Sequence, residues 1–351
     1  MKIIRLVLLV CLWPGLLYAA GPDRVATIDR ALWPETIDSQ MAFDRASAAE
    51  ILQFAYVIHQ TSLANAKDIK ALTGVKQVSL PSVERWLRAT QQQLVVGYQS
   101  ATHLPVHDWQ GLVRQAQAQL PVYDPHWRQA SEAFYHDYLF EQIRLAALFP
   151  RISSEILTMN ANEIRGDHFA DGEFLLTFDD GPHPTRTPRL IQALNQKEIQ
   201  AMFFILGHKI NATQHTTLYQ QQCLGAHGWR HRAHQDLKWS ESSMAQTEQA
   251  MAPLLSLNTT KTFRPPYGMR TPEFSDWLAQ HQIQTYLWNI DSQDWNRTLN
   301  AKAVTDRVVT LMLLWRKGVI LFHDIHPLAA IALPVLDDLV TQSNKHWRRC
   351  I

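Results

Sequence analysis

The sequence predicts an α/β fold for the C-terminal half of the chain, preceded by an all-α N-terminal region. Up to about residue 156, apolar residues recur at helical spacing with few glycines, most clearly over 46–59, 83–98 and 126–148. After about residue 166, helical stretches alternate with short apolar runs that have the length of buried strands, at 174–178, 200–206, 285–290 and 318–322. Strands that alternate with helices indicate parallel βα units.

These patterns divide the 351 residues into three parts. Residues 1–20 are typical of a signal peptide, because basic residues precede a short apolar run that ends at small residues. The run is shorter than the roughly 20 residues that span a bilayer. We therefore expect a bacterial protein exported to the periplasm or secreted, with no stable membrane span after signal removal; a buried first helix is the alternative. Residues 21–165 are predicted as a helical domain of unknown role, and 166–351 as the α/β domain.

The composition favours a folded protein and excludes some partners. Hydrophobic residues make up 46% of the chain and charged residues 19%, which suffices for a packed core. The formal net charge of +1 gives no indication of a nucleic-acid partner. Cys223 and Cys350 remain after export, and an oxidising compartment permits a disulfide between them. Two unpaired buried thiols are equally compatible with the sequence.

Polar clusters follow the predicted strands, where parallel folds place their catalytic groups. In the first, Asp179 and Asp180 are adjacent carboxylates, which repel each other unless a cation or another partner holds them. In the second, His227 and His231 lie on one face if the segment is helical, and paired imidazoles commonly bind a divalent metal. Asp180 could supply the third ligand. The plain alternatives are a turn and two surface histidines.

Three further clusters lie at 263–268, 291–295 and 321–324. In the first of them, Arg264 could hold a carboxylate bidentately, and the two prolines that follow could present a backbone N–H rigidly. In the last, His323 adjoins a carboxylate at the end of a strand, which is the arrangement of a general acid. Each cluster also has a plain interpretation as a loop or as solvated side chains.

The five clusters, in this order, resemble the motifs of the polysaccharide deacetylase family, also called the NodB homology domain or carbohydrate esterase family 4. The resemblance covers residues 174–339, about half of the chain. It implies a distorted (β/α) barrel with fewer units than the eight-stranded type. It also implies a hydrolase of carbon–nitrogen, non-peptide bonds that removes N-acetyl groups from N-acetylglucosamine-containing polysaccharide, such as peptidoglycan, chitin oligomers or exopolysaccharide.

The family's metal and base are carried over onto matching positions. The implied ligands of a divalent metal, usually Zn²⁺, are Asp180, His227 and His231. Asp179 would be the general base, and Arg264 would orient it.

The remaining family roles fall on the later motifs. His323 would be the general acid and Asp294 would tune it. The backbone N–H of Tyr267 would face the oxyanion, Trp295 would line the cleft, and Leu321 would border the acetate pocket.

Three departures from the family pattern lead to expectations of their own. Gly228 stands where the family usually has a small hydroxyl residue, so we expect the loop after His227 to lack one stabilising hydrogen bond. The stretch between 207 and 227 is short, which predicts a reduced helix or strand there. The last strand must come from 347–351.

Two other functions remain compatible with the sequence. One is a non-catalytic carbohydrate-binding protein on a deacetylase-like scaffold, although such a protein would typically lack a ligand or the base. The other is a related hydrolase of a non-sugar amide, since barrel and metal do not by themselves select the acyl group.

Overall fold

The structure is a computed structural model that describes residues 24–211, 215, 217–254 and 261–350. The predicted signal peptide lies outside the described residues, as do 212–214 and 216 in the stretch expected to be short. No helix in the described ranges combines the length and the apolar character that crossing a membrane requires.

The N-terminal region is helical, as predicted. Its helices are α1 (Gln40–Gln60), α2 (Ala66–Thr73), α3 (Leu80–Thr102), α4 (Trp109–Gln119) and α5 (Pro125–Leu148). The three stretches with helical periodicity lie within α1, α3 and α5. Local signals begin these helices: the Ser39 hydroxyl accepts from the first turn of α1, and Asp124 caps α5 just before a proline.

The second half contains nine short strands and five further helices among the described residues. The strands are β1 (Glu163–Ile164), β2 (Glu173–Asp179), β3 (Met202–Ile205), β4 (Cys223–Ala226), β5 (Thr262–Phe263), β6 (Gln284–Tyr286), β7 (Ile290–Asp291), β8 (Gly318–His323) and β9 (His346–Trp347). The helices are α6 (Arg186–Gln196), α7 (Leu237–Met251), α8 (Pro272–Gln280), α9 (Ala301–Trp315) and α10 (Leu328–Gln342). The expected last strand is present as β9, at the edge of its predicted range.

All strand pairs are parallel, in the order β1-β6-β5-β4-β3-β2-β8-β7, with β9 also beside β2. The run predicted as one strand over 285–290 divides into β6 and β7, because its partners change along its length. Leu287 N–H donates to Ile164 O at 2.7 Å, whereas Asn289 N–H donates to Val319 O at 3.3 Å. Since one extended segment pairs with both ends of the sheet, the sheet closes into the expected distorted barrel.

The helical region and the barrel share one hydrophobic core among the described residues. Helix α1 packs on α9, where the Ser47 hydroxyl donates to Leu313 O at 2.7 Å. The indole N–H of Trp315, at the end of α9, donates to the Tyr138 hydroxyl of α5 at 3.0 Å. The helical region is therefore packed directly against the barrel wall.

Candidate active site

The predicted site residues meet at the carboxyl ends of the strands. Asp179 ends β2 and His323 ends β8, while His227 and Arg264 directly follow β4 and β5. Because these strands are parallel, their carboxyl ends share one rim of the barrel, and the loops that follow them converge there.

Asp180, His227 and His231 form a compact group whose candidate ligand atoms all lie within 4.8 Å of one another. The Nε2 atoms of both imidazoles are 3.4 Å from Asp180 Oδ1. That oxygen is buried and has no hydrogen-bond partner among the described residues. Buried polar atoms are rarely left unpaired, so a ligand is expected here. Two imidazoles and a carboxylate are a donor set that a divalent metal ion would fit.

Protonation in this group also suits a cation. Burial raises the pKa of Asp180, but the adjacent imidazoles, His227 first, outweigh it and hold that pKa below its usual value. Burial, followed by the charge of His227, lowers the pKa of His231 to about 4. A carboxylate and a neutral imidazole are the forms that bind metal.

The orientation of His227 is set by the next motif. Its Nδ1 lies 2.8 Å from Arg264 O, and a carbonyl can only accept, so Nδ1 carries the proton. The Nε2 atom then faces Asp180. A carbonyl behind a ligating histidine is a common way of holding the imidazole in position.

The loop that carries both histidines is irregular rather than helical. Gly228 has a φ of +80°, and a Cβ there would lie 2.8 Å from the His234 ring, so the position favours glycine. The missing hydroxyl has a substitute: the backbone N–H of Trp229 donates to Ser243 Oγ of α7 at 2.8 Å. A side chain from a neighbouring helix thus supports the loop that was expected to be less stable.

Asp179 and Arg264 form a buried ion pair, with 2.8 Å between Arg264 Nη1 and Asp179 Oδ1. A single guanidinium nitrogen makes this contact, so the bidentate arrangement considered from the sequence is wrong. The other two guanidinium nitrogens, Nε and Nη2, donate to the carbonyls of Tyr286 and Leu287. Nη1 itself makes a second hydrogen bond, to Thr177 Oγ1. The guanidinium is therefore fixed, and so is the carboxylate beside it.

His323 and Asp294 form the second coupled pair. Asp294 Oδ1 accepts from His323 Nδ1 at 2.7 Å, and its Oδ2 accepts from the His323 backbone N–H at 2.9 Å. Burial disfavours the charged imidazole, but the Asp294 carboxylate outweighs it and raises the pKa of His323 to about 10. The imidazole is thus held protonated near neutral pH, with Nε2 free to act.

A cleft of about 280 Å³ joins these groups. Tyr267, Trp295 and Leu321 line it together with the metal-site group. Tyr267 adopts a φ of +59°, and its ring lies 4.3 Å from that of His231.

Part of the cleft was not foreseen. Leu145 and residues 152–155, from the helical region, line it, and so do Trp288 and Gln293. Trp288 and Gln293 adjoin predicted motifs, and their positions could have been suspected from the sequence. Residues 152–155 carry no motif and lie far from the others in sequence, so nothing in the sequence placed them here.

A second unforeseen feature is a buried arginine that joins these parts. Arg270 pairs with the buried Glu163, donating from Nε to Glu163 Oε1 at 2.8 Å. Its Nη1 donates both to Ser154 O, at 2.7 Å, and to Gly268 O, at 2.8 Å. One side chain therefore ties the segment from the helical region to the loop that bears Tyr267.

A parallel barrel whose strand ends gather a His–His–Asp group, a buried carboxylate and a carboxylate-bound histidine defines a candidate metal-dependent hydrolase. Residues 167–286 match the family model described as polysaccharide deacetylase, so this part of the chain is similar to that family.

Known relatives are similar to part of the chain. The chain is 30% identical over 165 residues to the peptidoglycan-N-acetylglucosamine deacetylase PgdA of Listeria monocytogenes, covering 45% of this chain and 34% of the relative. It is 31% identical over 159 residues to chitin deacetylase 2 of Saccharomyces cerevisiae, covering 42% and 49%. It thus spans a third to a half of the length of these relatives. A solved structure of the Bc1960 peptidoglycan N-acetylglucosamine deacetylase has 23% identity and a TM-score of 0.48, covering 54% of this chain and 91% of that one.

Proposed function

We propose that this protein is a metal-dependent hydrolase that removes N-acetyl groups from N-acetylglucosamine-containing polysaccharide, such as peptidoglycan, chitin oligomers or exopolysaccharide. The observation that carries the proposal is the unpaired, buried Oδ1 of Asp180, which lies 3.4 Å from Nε2 of each of two imidazoles. The similarity to a peptidoglycan deacetylase and to a chitin deacetylase supports the same class of substrate.

Zn²⁺ is the proposed ion, held by Asp180, His227 and His231, because zinc favours nitrogen ligands and often has three protein ligands in catalytic sites. When bound, such an ion polarises an amide carbonyl and lowers the pKa of a water molecule. Another divalent ion would supply related chemistry.

Residues of this chain would carry out the proton transfers. Asp179 would accept a proton from the attacking water, and Arg264 would hold that carboxylate in one orientation. The Tyr267 backbone N–H would donate to the oxygen that becomes negative. His323, protonated beside Asp294, would donate a proton to the departing amine. Trp295 and Leu321 would contact the sugar and the acetyl group.

We also propose that the protein is exported, to the periplasm or beyond. The features of residues 1–20 support this. So does the structure near its C-terminus, where Cys223 and Cys350 form a disulfide. Such bonds persist mainly in oxidising compartments. The interpretation as two unpaired thiols is therefore wrong for this structure.

The test is acetate release by the purified mature protein from chitin oligomers, peptidoglycan and poly-N-acetylglucosamine. We expect activity on at least one of them, loss on chelation and recovery with Zn²⁺. Asp179→Asn and His231→Ala should each lower kcat by at least about 100-fold. His136→Ala, at an exposed position on α5, is the matched control and should retain full activity.

Full turnover by Asp179→Asn or by His231→Ala would refute the mechanism. Tight binding of these sugars by the metal-loaded protein without acetate release would instead indicate a carbohydrate-binding protein. Hydrolysis of cyclic amides or small esters only would indicate a different substrate class.

A further inference from the structure

One wall of the cleft comes from outside the part that matches the family. Residues 152–155 line the cleft together with the metal-site group. The segment is firmly held: Ser153 Oγ accepts from the Arg270 backbone N–H at 2.9 Å, and Ser154 O accepts from the Arg270 side chain. At Gly268, a Cβ would lie 2.9 Å from Glu155 N, so the glycine permits this close approach.

Two buried polar atoms beside this wall have no partner among the described residues. They are the indole Nε1 of Trp288, a donor, and Oε1 of Gln293, an acceptor. Both side chains line the cleft and are only 6% and 5% exposed. Because buried polar groups are normally paired, these atoms point to a ligand that both donates and accepts hydrogen bonds. Sugar hydroxyl groups do both.

Two carboxylates complete the polar wall. Asp291 accepts from the backbone N–H and from Nε2 of Gln293, at 2.9 and 2.7 Å. Glu155 is half-buried in the same cleft and makes no ion pair among the described residues. Burial, and then the charge of Asp291, raises the pKa of Glu155 to about 7.

The cleft lining carries more carboxylates than cations, and its protonated histidine, His323, is already paired with Asp294. Its described residues include four carboxylates and neither lysine nor arginine. Asp179 is paired with Arg264, and Asp180 lies between imidazoles. The arginines nearest to Glu155 and Asp291 have acidic partners of their own. These pairs are Arg165 with Asp167, Arg270 with Glu163, and Arg307 with Glu141.

We propose that Glu155, Trp288, Asp291 and Gln293 form a subsite for an uncharged sugar residue beside the one that is deacetylated. The subsite would select neutral N-acetylglucosamine oligomers over glycans whose neighbouring sugar carries a carboxylate, such as muramic acid. The physical reason is that like charges repel strongly where burial limits solvent screening. This inference rests on the function proposed above.

The test compares two tetrasaccharides with the same number of N-acetyl groups. One is tetra-N-acetylchitotetraose, and the other is a peptide-free tetrasaccharide of alternating N-acetylglucosamine and N-acetylmuramic acid. Acetate release is measured at pH 8, where Glu155 is mostly ionised. We expect kcat/KM to favour the neutral substrate by at least about tenfold.

Variants then test the residues of the proposed subsite. Glu155→Gln keeps the shape and removes the charge, so it should reduce the preference to about threefold or less, mainly by improving use of the acidic substrate. Glu132→Gln, on the exposed surface of α5, is the matched control and should leave the preference unchanged. Trp288→Phe removes the N–H donor and should raise KM for the neutral substrate several-fold without lowering kcat.

A wild-type protein that uses both substrates equally, or prefers the acidic one, would overturn the inference, as would an unchanged preference in Glu155→Gln. If neither substrate releases acetate, the proposed function fails instead. Titration calorimetry of the same two tetrasaccharides then still tests the subsite, and equal binding of both would refute it.

Discussion

A buried ion pair between Glu141 of α5 and Arg307 of α9 joins the helical region to the barrel. Two guanidinium nitrogens of Arg307 donate to the two Glu141 oxygens, at 3.0 and 2.7 Å. Arg307 also donates to the backbone carbonyls of Ala26 and Asp291, both at 2.9 Å. The pair thus holds the N-terminal segment and the end of β7, and both side chains are almost fully buried.

Removal of one partner of this ion pair should strongly lower the free energy of unfolding. Arg307→Met would leave the Glu141 carboxylate buried without its cation, and such single losses typically cost about 3–5 kcal/mol of unfolding free energy. Replacing both partners by apolar side chains removes both charges, so no uncompensated charge remains buried. The double variant Glu141→Met/Arg307→Met should therefore recover most of the loss, to within about 1–2 kcal/mol of wild type.

The assay is urea unfolding at pH 7, monitored by tryptophan fluorescence and by circular dichroism to check that the transition is two-state. Glu35→Gln, which breaks the exposed pair with Arg45, is the matched control and should change stability by no more than about 1 kcal/mol. A loss below about 1 kcal/mol for Arg307→Met, or a double variant less stable than Arg307→Met alone, would refute this reasoning.

Two further predictions concern the site. Asp294→Asn removes the main group that raises the pKa of His323, so this pKa should fall and the alkaline limb of the kcat/KM–pH profile should move to lower pH by at least about one unit; an unmoved limb would exclude His323 as the acid. Gly228→Ser introduces a side chain at a φ of +80° and against His234, and should weaken Zn²⁺ binding by about tenfold or more, measured by chelator competition. Gly74→Ser, at a φ of +69° with open space around it, is the control, and equal affinities in both variants would contradict the prediction.

Much of the secondary structure could be predicted because the sequence signals for its helices and strands are local. The apolar run that becomes β8 and the helical periodicity of α1, α3 and α5 are set by spacing along the chain. The division of the 285–290 run into two strands was harder to predict. Its composition is continuous, whereas its hydrogen-bond partners change from Ile164 to Val319. A change of partner leaves no trace in the residues themselves.

The features of the candidate site also divide into those with local sequence signals and those that depend on distant parts of the chain. Adjacent carboxylates, two histidines four residues apart and a His that adjoins a carboxylate at a strand end are visible in the sequence, because the chemistry of each motif is local. The family resemblance then related the motifs to one another. Asp180, His227 and His231 do meet, and so do Asp294 with His323, because parallel strands carry their following loops to one rim.

The sequence by itself determined which residues could bind a cation or move a proton, and in which order they occur. Only the tertiary structure decided that Cys223 pairs with Cys350 across 127 residues, that Arg264 contacts Asp179 through one nitrogen, and that residues 152–155 wall the cleft. The physical reason is sequence separation. Periodicity and turn chemistry act between near neighbours in the chain, whereas these contacts depend on how helices and sheet pack around one core.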